Sequence, residues 1–245
     1  MKKLLLILLC LPFIGFGQTL IPDVNFEQAL INLGYDTGIP DGSVPTANIN
    51  TVTFLDVSMN NISDLTGIED FTLVHHLWCD YNELTNLNLI NNTALIELYC
   101  GHNELSSIII DNLTNLENFR CENNQLTNLD VSILTNLTDL RCEDNQLNSL
   151  DLRNGNNINM NLRTRNNTGL YCINVDNVAW SNINWTEYDG NTDLQHYFSS
   201  NCLPSYIEEN TSNKELLKVT DLLGRETKQT NQPLFYIYDD GTVEK

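Results

Sequence analysis

Three sets of residues in this chain have types and spacing that could do chemistry. Cys79, Cys100, Cys121 and Cys142 recur at a step of 21 residues, an arrangement that invites metal or redox chemistry. His76, Asp80 and His102 combine imidazoles with a carboxylate and could hold a metal if neighbouring strands brought them together. Trp78, Tyr99, Arg120 and Arg141 share that 21-residue step, and aromatic residues with arginine are the types that dominate binding hot spots. Which of these chemistries is available depends on the element that carries them.

That element is a repeat. Five units begin at Val52, Val74, Leu95, Leu116 and Leu137, each reading apolar-x-x-apolar-x-Cys-x-x-Asn-x-apolar, with valine in place of cysteine in the first. The segments LWCDYNEL, LYCGHNEL, FRCENNQL and LRCEDNQL carry the pattern, and Asn60, Asn82, Asn103, Asn124 and Asn145 fill its asparagine position. The pattern resembles the leucine-rich repeat family, whose signature LxxLxLxxN/CxL has the same length and spacing. The resemblance implies a solenoid with a parallel β-sheet on its inner face, a short irregular or β outer face, and a cap at each end.

Within each unit the strand should lie around apolar-x-Cys, and alternation assigns its faces. Leu55, Leu77, Leu98, Phe119 and Leu140 point inward, as do Val57 and the four cysteines. The cysteine column therefore asks for a small apolar group, since Val57 fills it too. In-register Cβ atoms stand about 4.8 Å apart, wide for a disulfide, and no histidine shares that face. These cysteines read as small buried hydrophobes, with no metal and no cofactor. The asparagines read as structural: a buried amide can satisfy backbone groups where the chain leaves the strand.

The outward columns are the place for function. One runs Asp56, Trp78, Tyr99, Arg120, Arg141; its neighbours run Phe54, His76, Glu97, Asn118, Asp139 and Ser58, Asp80, Gly101, Glu122, Glu143. After Asn157 the strict count would turn Arg163 inward, and a one-residue slip instead buries Met160 and Leu162 and adds Arg163 and Arg165 to the outward face. The result is an aromatic end, Trp78 and Tyr99 with His76, Tyr81 and His102 close by, and an arginine end at Arg120, Arg141 and Arg163. One reading is a protein-binding face; another is a glycan-binding adhesin in which Trp78 and Tyr99 stack on sugar rings. A third is a structural spacer, whose arginines merely pair with Glu122 and Glu143 across strands.

The flanking segments complete the organisation. Residues 1–17 carry Lys2 and Lys3 and an apolar run from Leu4 to Ile14, which reads as a signal peptide, too short to span a bilayer. Residues 18–51 form an N-terminal cap, with a helix from Ile21 that buries Phe26, Ala29, Leu30 and Leu33, capped by Asp23 and stopped by Gly34; residues 36–48 read as a connecting loop. The repeats occupy 52–169. Residues 170–202 resemble the closing segment of secreted bacterial leucine-rich repeat proteins, with Tyr171, Ile173, Val178, Trp180 and Trp185 covering the open end. Cys172 and Cys202 lie outside the ladder and could pair in an oxidising compartment. Residues 203–213 read as a linker.

The last segment, 214–245, contains KVTDLLGRE and PLFYIYDDGTVEK and resembles the C-terminal sorting domain of type IX secretion substrates from the Bacteroidota. That resemblance implies recognition by secretion machinery. Such domains usually run on past the point where this chain stops at Lys245, so the tail reads as truncated.

Composition excludes several partners. The chain has 12 basic and 32 acidic residues, a formal net charge of -20. Such a surface repels phosphate backbones and anionic lipid, so neither nucleic acid nor membrane insertion is expected. HExxH, GxSxG, phosphate-cradling glycine loops and CxxC pairs are lacking, which leaves no enzymatic motif. The sequence thus reads as an exported leucine-rich repeat protein, secreted or at the cell surface, that works by binding a protein or a surface glycan.

Overall fold

A computed structural model describes residues 17–202 and the backbone of residues 216–220, 235–238 and 243–244. The segment read as a signal peptide, apart from Gly17, and the linker lie outside the described residues. Residues 17–202 form one compact unit and 203–245 a second.

The first unit begins with β1 (Gln18–Leu20) and α1 (Val24–Asn32). Asp23 starts the helix because its carboxylate can satisfy N–H groups that no earlier turn reaches: Oδ1 accepts from Asn25 and Phe26 at 2.9 and 3.0 Å. Its other oxygen accepts from the Ser63 N–H and hydroxyl, both at 2.8 Å, and so ties the cap to the first repeat. Burial pushes the Asp23 carboxyl up, but the N–H donors of Phe26, Ser63 and Asp64 and the Ser63 hydroxyl outweigh it and hold it below its ordinary value. Gly34 ends the helical segment with φ +83°.

Two sequence expectations fail here. Leu33 is 45% exposed, because it caps the helix rather than continuing its apolar stripe. The segment expected to be loop from 36 to 48 contains β2 (Ser43–Pro45), antiparallel to β1, and a helical turn α2 (Thr46–Ile49). What organises it is Glu27, only 1% exposed, whose carboxylate accepts from the N–H groups of Asp41 (2.6 Å) and Gly42 (2.8 Å). A glutamate on a helix gives no sequence sign of such a contact.

The repeats then alternate between two faces. Strands β3 (Phe54–Asp56), β4 (His76–Trp78), β6 (Glu97–Tyr99), β8 (Asn118–Arg120), β10 (Asp139–Arg141) and β12 (Asn161–Arg163) pair in that order as a six-stranded parallel sheet. On the return path β5 (Asn86–Asn88) pairs with β7 (Ser107–Ile109), and β9 (Asn128–Asp130), β11 (Ser149–Asp151), β13 (Cys172–Asn174) and β14 (Tyr197–Ser199) form a four-stranded sheet. This is a leucine-rich repeat solenoid. Leu55, Leu77, Leu98, Phe119, Leu140 and Leu162 are in register and fully buried, so the core runs continuously although no single coil could enclose one. The pairing of Leu140 with Leu162 places the register slip where Met160 and Leu162 are buried and Arg163 is exposed.

The asparagine column explains the turn out of each strand. Asn124 is typical: Nδ2 donates to the carbonyls of Cys121 (3.1 Å) in its own coil and Cys100 (3.0 Å) in the preceding one, and Oδ1 accepts the Leu105 N–H at 2.9 Å. Asn82, Asn103 and Asn145 repeat this set, and Asn167 extends it by one coil. Asn60, with no earlier coil to reach, donates to the Ser58 carbonyl instead. The neighbouring cysteine column is wholly buried and its thiols are free, and Thr164 takes the next place in it. Burial pushes the thiols of Cys79, Cys100 and Cys121 well up, and that of Cys142 up to about 12. They stay protonated, which removes the thiolate that a nucleophile or metal ligand requires.

The C-terminal cap contains α3 (Val178–Asn184) between β13 and β14. Ile173 and Trp185 are buried and Val178 and Trp180 pack partly against the core, but Tyr171, which stands just before β13 rather than within it, is 59% exposed. Cys172 and Cys202 are joined in a disulfide with Cα atoms 5.8 Å apart. In the second unit β15 (Leu216–Thr220), β16 (Phe235–Tyr238) and β17 (Val243–Glu244) form an antiparallel sheet with a bulge between Leu216 and Lys218.

Candidate binding face

The exposed side of the six-stranded sheet brings the outward columns together. Trp78 and Tyr99 are in register on β4 and β6, and their rings stack with centroids 5.6 Å apart and planes 8° from parallel. Phe54 meets Trp78 in a T-shaped contact at 5.0 Å, and from the other side the Arg120 guanidinium lies over the Tyr99 ring at 4.3 Å. Phe54, Trp78, Tyr99 and Arg120 therefore form one continuous stack across four strands, with aromatic quadrupoles and a cation in favourable alternation.

Glu97 holds this stack in place. It accepts from the Trp78 indole N–H at 2.6 Å and from the Tyr99 hydroxyl at 3.0 Å, and the His76 Nδ1 stands 3.7 Å away. Burial and the hydrogen bond to Glu97 together push the Tyr99 hydroxyl above its ordinary value, so it remains a donor. Both faces of Tyr99 are covered, and Trp78 has Tyr99 on one side and Phe54 on the other. What the stack offers a ligand is mostly ring edge, apart from Phe54, which is 45% exposed at the outermost strand.

A second column lies beside it, one residue before each asparagine. Met59, Tyr81, His102, Asn123, Asp144 and Asn166 all have φ between +52° and +60°, the left-handed conformation that turns the chain out of the strand. Asparagine, aspartate and, to a lesser extent, histidine tolerate this region, whereas an unsuited side chain costs roughly 1 to 2 kcal/mol. Met59 and Tyr81 are the unsuited ones. They are adjacent and 72% and 51% exposed, and Tyr81 stacks on His102 with centroids 4.1 Å apart. The three C-terminal members of the column carry the residues the backbone prefers.

The arginine end is wired differently from the expectation. Arg120 and Arg141 both direct Nε toward Asp139 at 3.6 Å, rather than pairing with Glu122 and Glu143. Asp139 sits between them on the neighbouring outward column and also accepts from Asn161 at 2.6 Å. Arg163 is exposed and borders, with Arg165, Glu143, Asp144 and Asp189, a hollow of about 450 Å³ at the last coil. The carboxylates left on the sheet are crowded: burial pushes Asp80 up to about 6, with Glu122 adding repulsion and the Gly101 N–H and His102 opposing, and burial likewise pushes Glu143 up. His76 lies beside Glu97, whereas His102 stacks on Tyr81 in another column. Among the described residues no group of three histidine, cysteine or acidic side chains could hold a metal ion.

Sequence reasoning named Trp78, Tyr99, Tyr81, His76 and the arginines but overlooked Met59 and the bridging roles of Glu97 and Asp139. The turn geometry was the missing signal, since the sequence marks the position before each asparagine without revealing its positive φ.

The fold has relatives among solved structures. The functional domain of InlJ from Listeria monocytogenes, described as including a cysteine ladder, is 29% identical over 65% of this chain and 38% of that one, with a TM-score of 0.56. An internalin, InlF, of the same organism is 22% identical over 66% of this chain and 53% of that one, with a TM-score of 0.50. The chain thus spans between about two fifths and about half of the length of these structures. No family model matches the sequence, and no curated protein is significantly similar to it.

Proposed function

We propose that this leucine-rich repeat protein is exported and works by binding a protein partner through the exposed side of its six-stranded sheet, without catalysis. The observation that carries this reading is the pair Met59 and Tyr81. Two exposed side chains occupy backbone positions that disfavour them, next to the Phe54, Trp78, Tyr99 stack, while the same positions farther along carry asparagine and aspartate. Strain of this kind persists where the side chain has a use, and large exposed apolar groups gathered on a rigid sheet are what a partner buries. Trp78, Tyr99, Tyr81 and His76 are the proposed anchors, with Arg120, Arg141 and Arg163 as the polar margin.

Sugar stacking fits less well, because it needs an open ring face, and both faces of Tyr99 and one face of Trp78 are covered. In the same reading residues 1–17 direct export, the disulfide-closed cap ends the binding domain, and residues 214–245 are a sorting tail read by type IX secretion machinery. Among the described residues no helix is long and apolar enough to cross a membrane.

The test is a capture experiment on surface and extracellular extracts with the parent chain, Trp78→Ala/Tyr81→Ala, and a return-face control, Asn86→Ala/Asn128→Ala. The expected outcome is a specific protein retained by parent and control and lost with the sheet variant. Equal capture by all three removes the proposed face.

A further inference from the structure

The aromatic end of the sheet has a charge environment that narrows the partner. From Gln18 to Phe119 the chain has 14 acidic residues and not one lysine or arginine; the first base after Lys3 is Arg120. Two of those acids, Asp56 and Asp80, stand on the sheet among the aromatic residues, on β3 and just beyond β4. Asp56 Oδ1 accepts from Ser58 and Asp80 Oδ1 from the Gly101 N–H at 2.9 Å, and among the described residues neither carboxylate forms an ion pair with a lysine or arginine. Carboxylates in a partly buried setting without a counter-ion leave unspent attraction for an incoming cation.

The stack itself accepts such a cation at one end. Arg120 closes it over Tyr99, and at the opposite end Phe54 lies on β3, the outermost strand, where no further strand can supply an arginine. Aromatic rings beside carboxylates bind ammonium or guanidinium groups through the ring quadrupole and through direct ion pairs.

Resting on the protein-binding reading, we infer that the aromatic end, Phe54, Met59, Trp78 and Tyr81 with Asp56 and Asp80, takes a basic segment of the partner protein, one that presents arginine or lysine beside apolar side chains. A cation from the partner completes the stack at Phe54 as Arg120 completes it at Tyr99, and pairs with Asp56 and Asp80. An acidic segment meets repulsion there and has attraction only at the arginine end.

Three synthetic peptides of one length test this with the full chain: Gly-Ser-Arg repeats, Gly-Ser-Glu repeats and Gly-Ser-Gln repeats, measured by fluorescence anisotropy at low and moderate salt. The arginine peptide should bind at least about tenfold tighter than the glutamine peptide, weakening as salt rises. Because the whole protein is acidic, the deciding variants are Asp56→Asn/Asp80→Asn and Phe54→Ala against the control Glu104→Gln/Asp111→Asn, which removes two exposed acids. A loss of about fivefold or more in the first two and little change in the control supports the site. Equal losses in all variants mean bulk charge alone and overturn it. Preference for the glutamate peptide, abolished by Arg141→Ala/Arg163→Ala, also overturns it while leaving the protein-binding reading standing. That reading fails only by the capture experiment above.

Discussion

The two sides of the six-stranded sheet follow opposite rules. On the buried side each column keeps one residue type: leucine or phenylalanine, then cysteine with valine and threonine at its ends, then asparagine. On the exposed side the columns change from coil to coil, from Asp56 through Trp78 and Tyr99 to Arg120, Arg141 and Arg163. The buried side is constrained by its neighbours above and below, so a repeat is the only solution that stacks. The exposed side has no such constraint, and its variation is what the proposed binding reading rests on.

Substitutions that probe this contrast should differ most on the buried side. Asn124→Ala removes an amide that serves two coils and leaves buried carbonyls and the Leu105 N–H without partners. It should cost about 3 kcal/mol or more in denaturant unfolding, given about 1 to 3 kcal/mol for each unsatisfied group. Next comes the cysteine column. Cys121→Ser places a hydroxyl where burial is complete and should cost about 2 kcal/mol, whereas Cys121→Val should stay within about 1 kcal/mol, because Val57 already fills that place. A costly valine and a harmless serine would mean that the thiols do something other than pack.

The exposed side predicts smaller effects, some of opposite sign. Folding lifts the Asp80 carboxyl to about 6, above its value in an unfolded chain, so its protonated form is favoured in the native state. Stability is therefore fully present below about pH 4 and is lost as pH rises through about 6, the charge remaining a burden above it. Asp80→Asn keeps an acceptor for the Gly101 N–H and loses the burden. Thermal melts should show it more stable than the parent near pH 8 and equal to it near pH 4, and a variant less stable at both would sink this assignment.

The same contrast explains what could be read in advance. The solenoid, its inward columns and the slip after Asn157 were legible because a periodic core writes itself into the spacing of Leu77, Cys79 and Asn82 and their counterparts. The N-terminal cap was less so: Asp23 announces a helix, but the long-range reach of Glu27 to Asp41 and Gly42 leaves no periodic trace. On the candidate face the residue types were visible, but their wiring was not. That Arg120 covers Tyr99 and shares Asp139 with Arg141 depends on side-chain directions, which spacing does not encode. The cost of Met59 and Tyr81 became visible only through backbone angles.

Those two residues give the most direct test of the central claim, that the aromatic end is kept for binding at some expense to stability. In Met59→Asn/Tyr81→Asn both positions receive the residue type that the turn prefers. The account predicts a folded protein whose melting temperature does not fall, since relief of strain worth roughly 1 to 2 kcal/mol per site offsets the lost stack of Tyr81 on His102, together with loss of partner capture. Undiminished capture, or a marked fall in melting temperature, would contradict it.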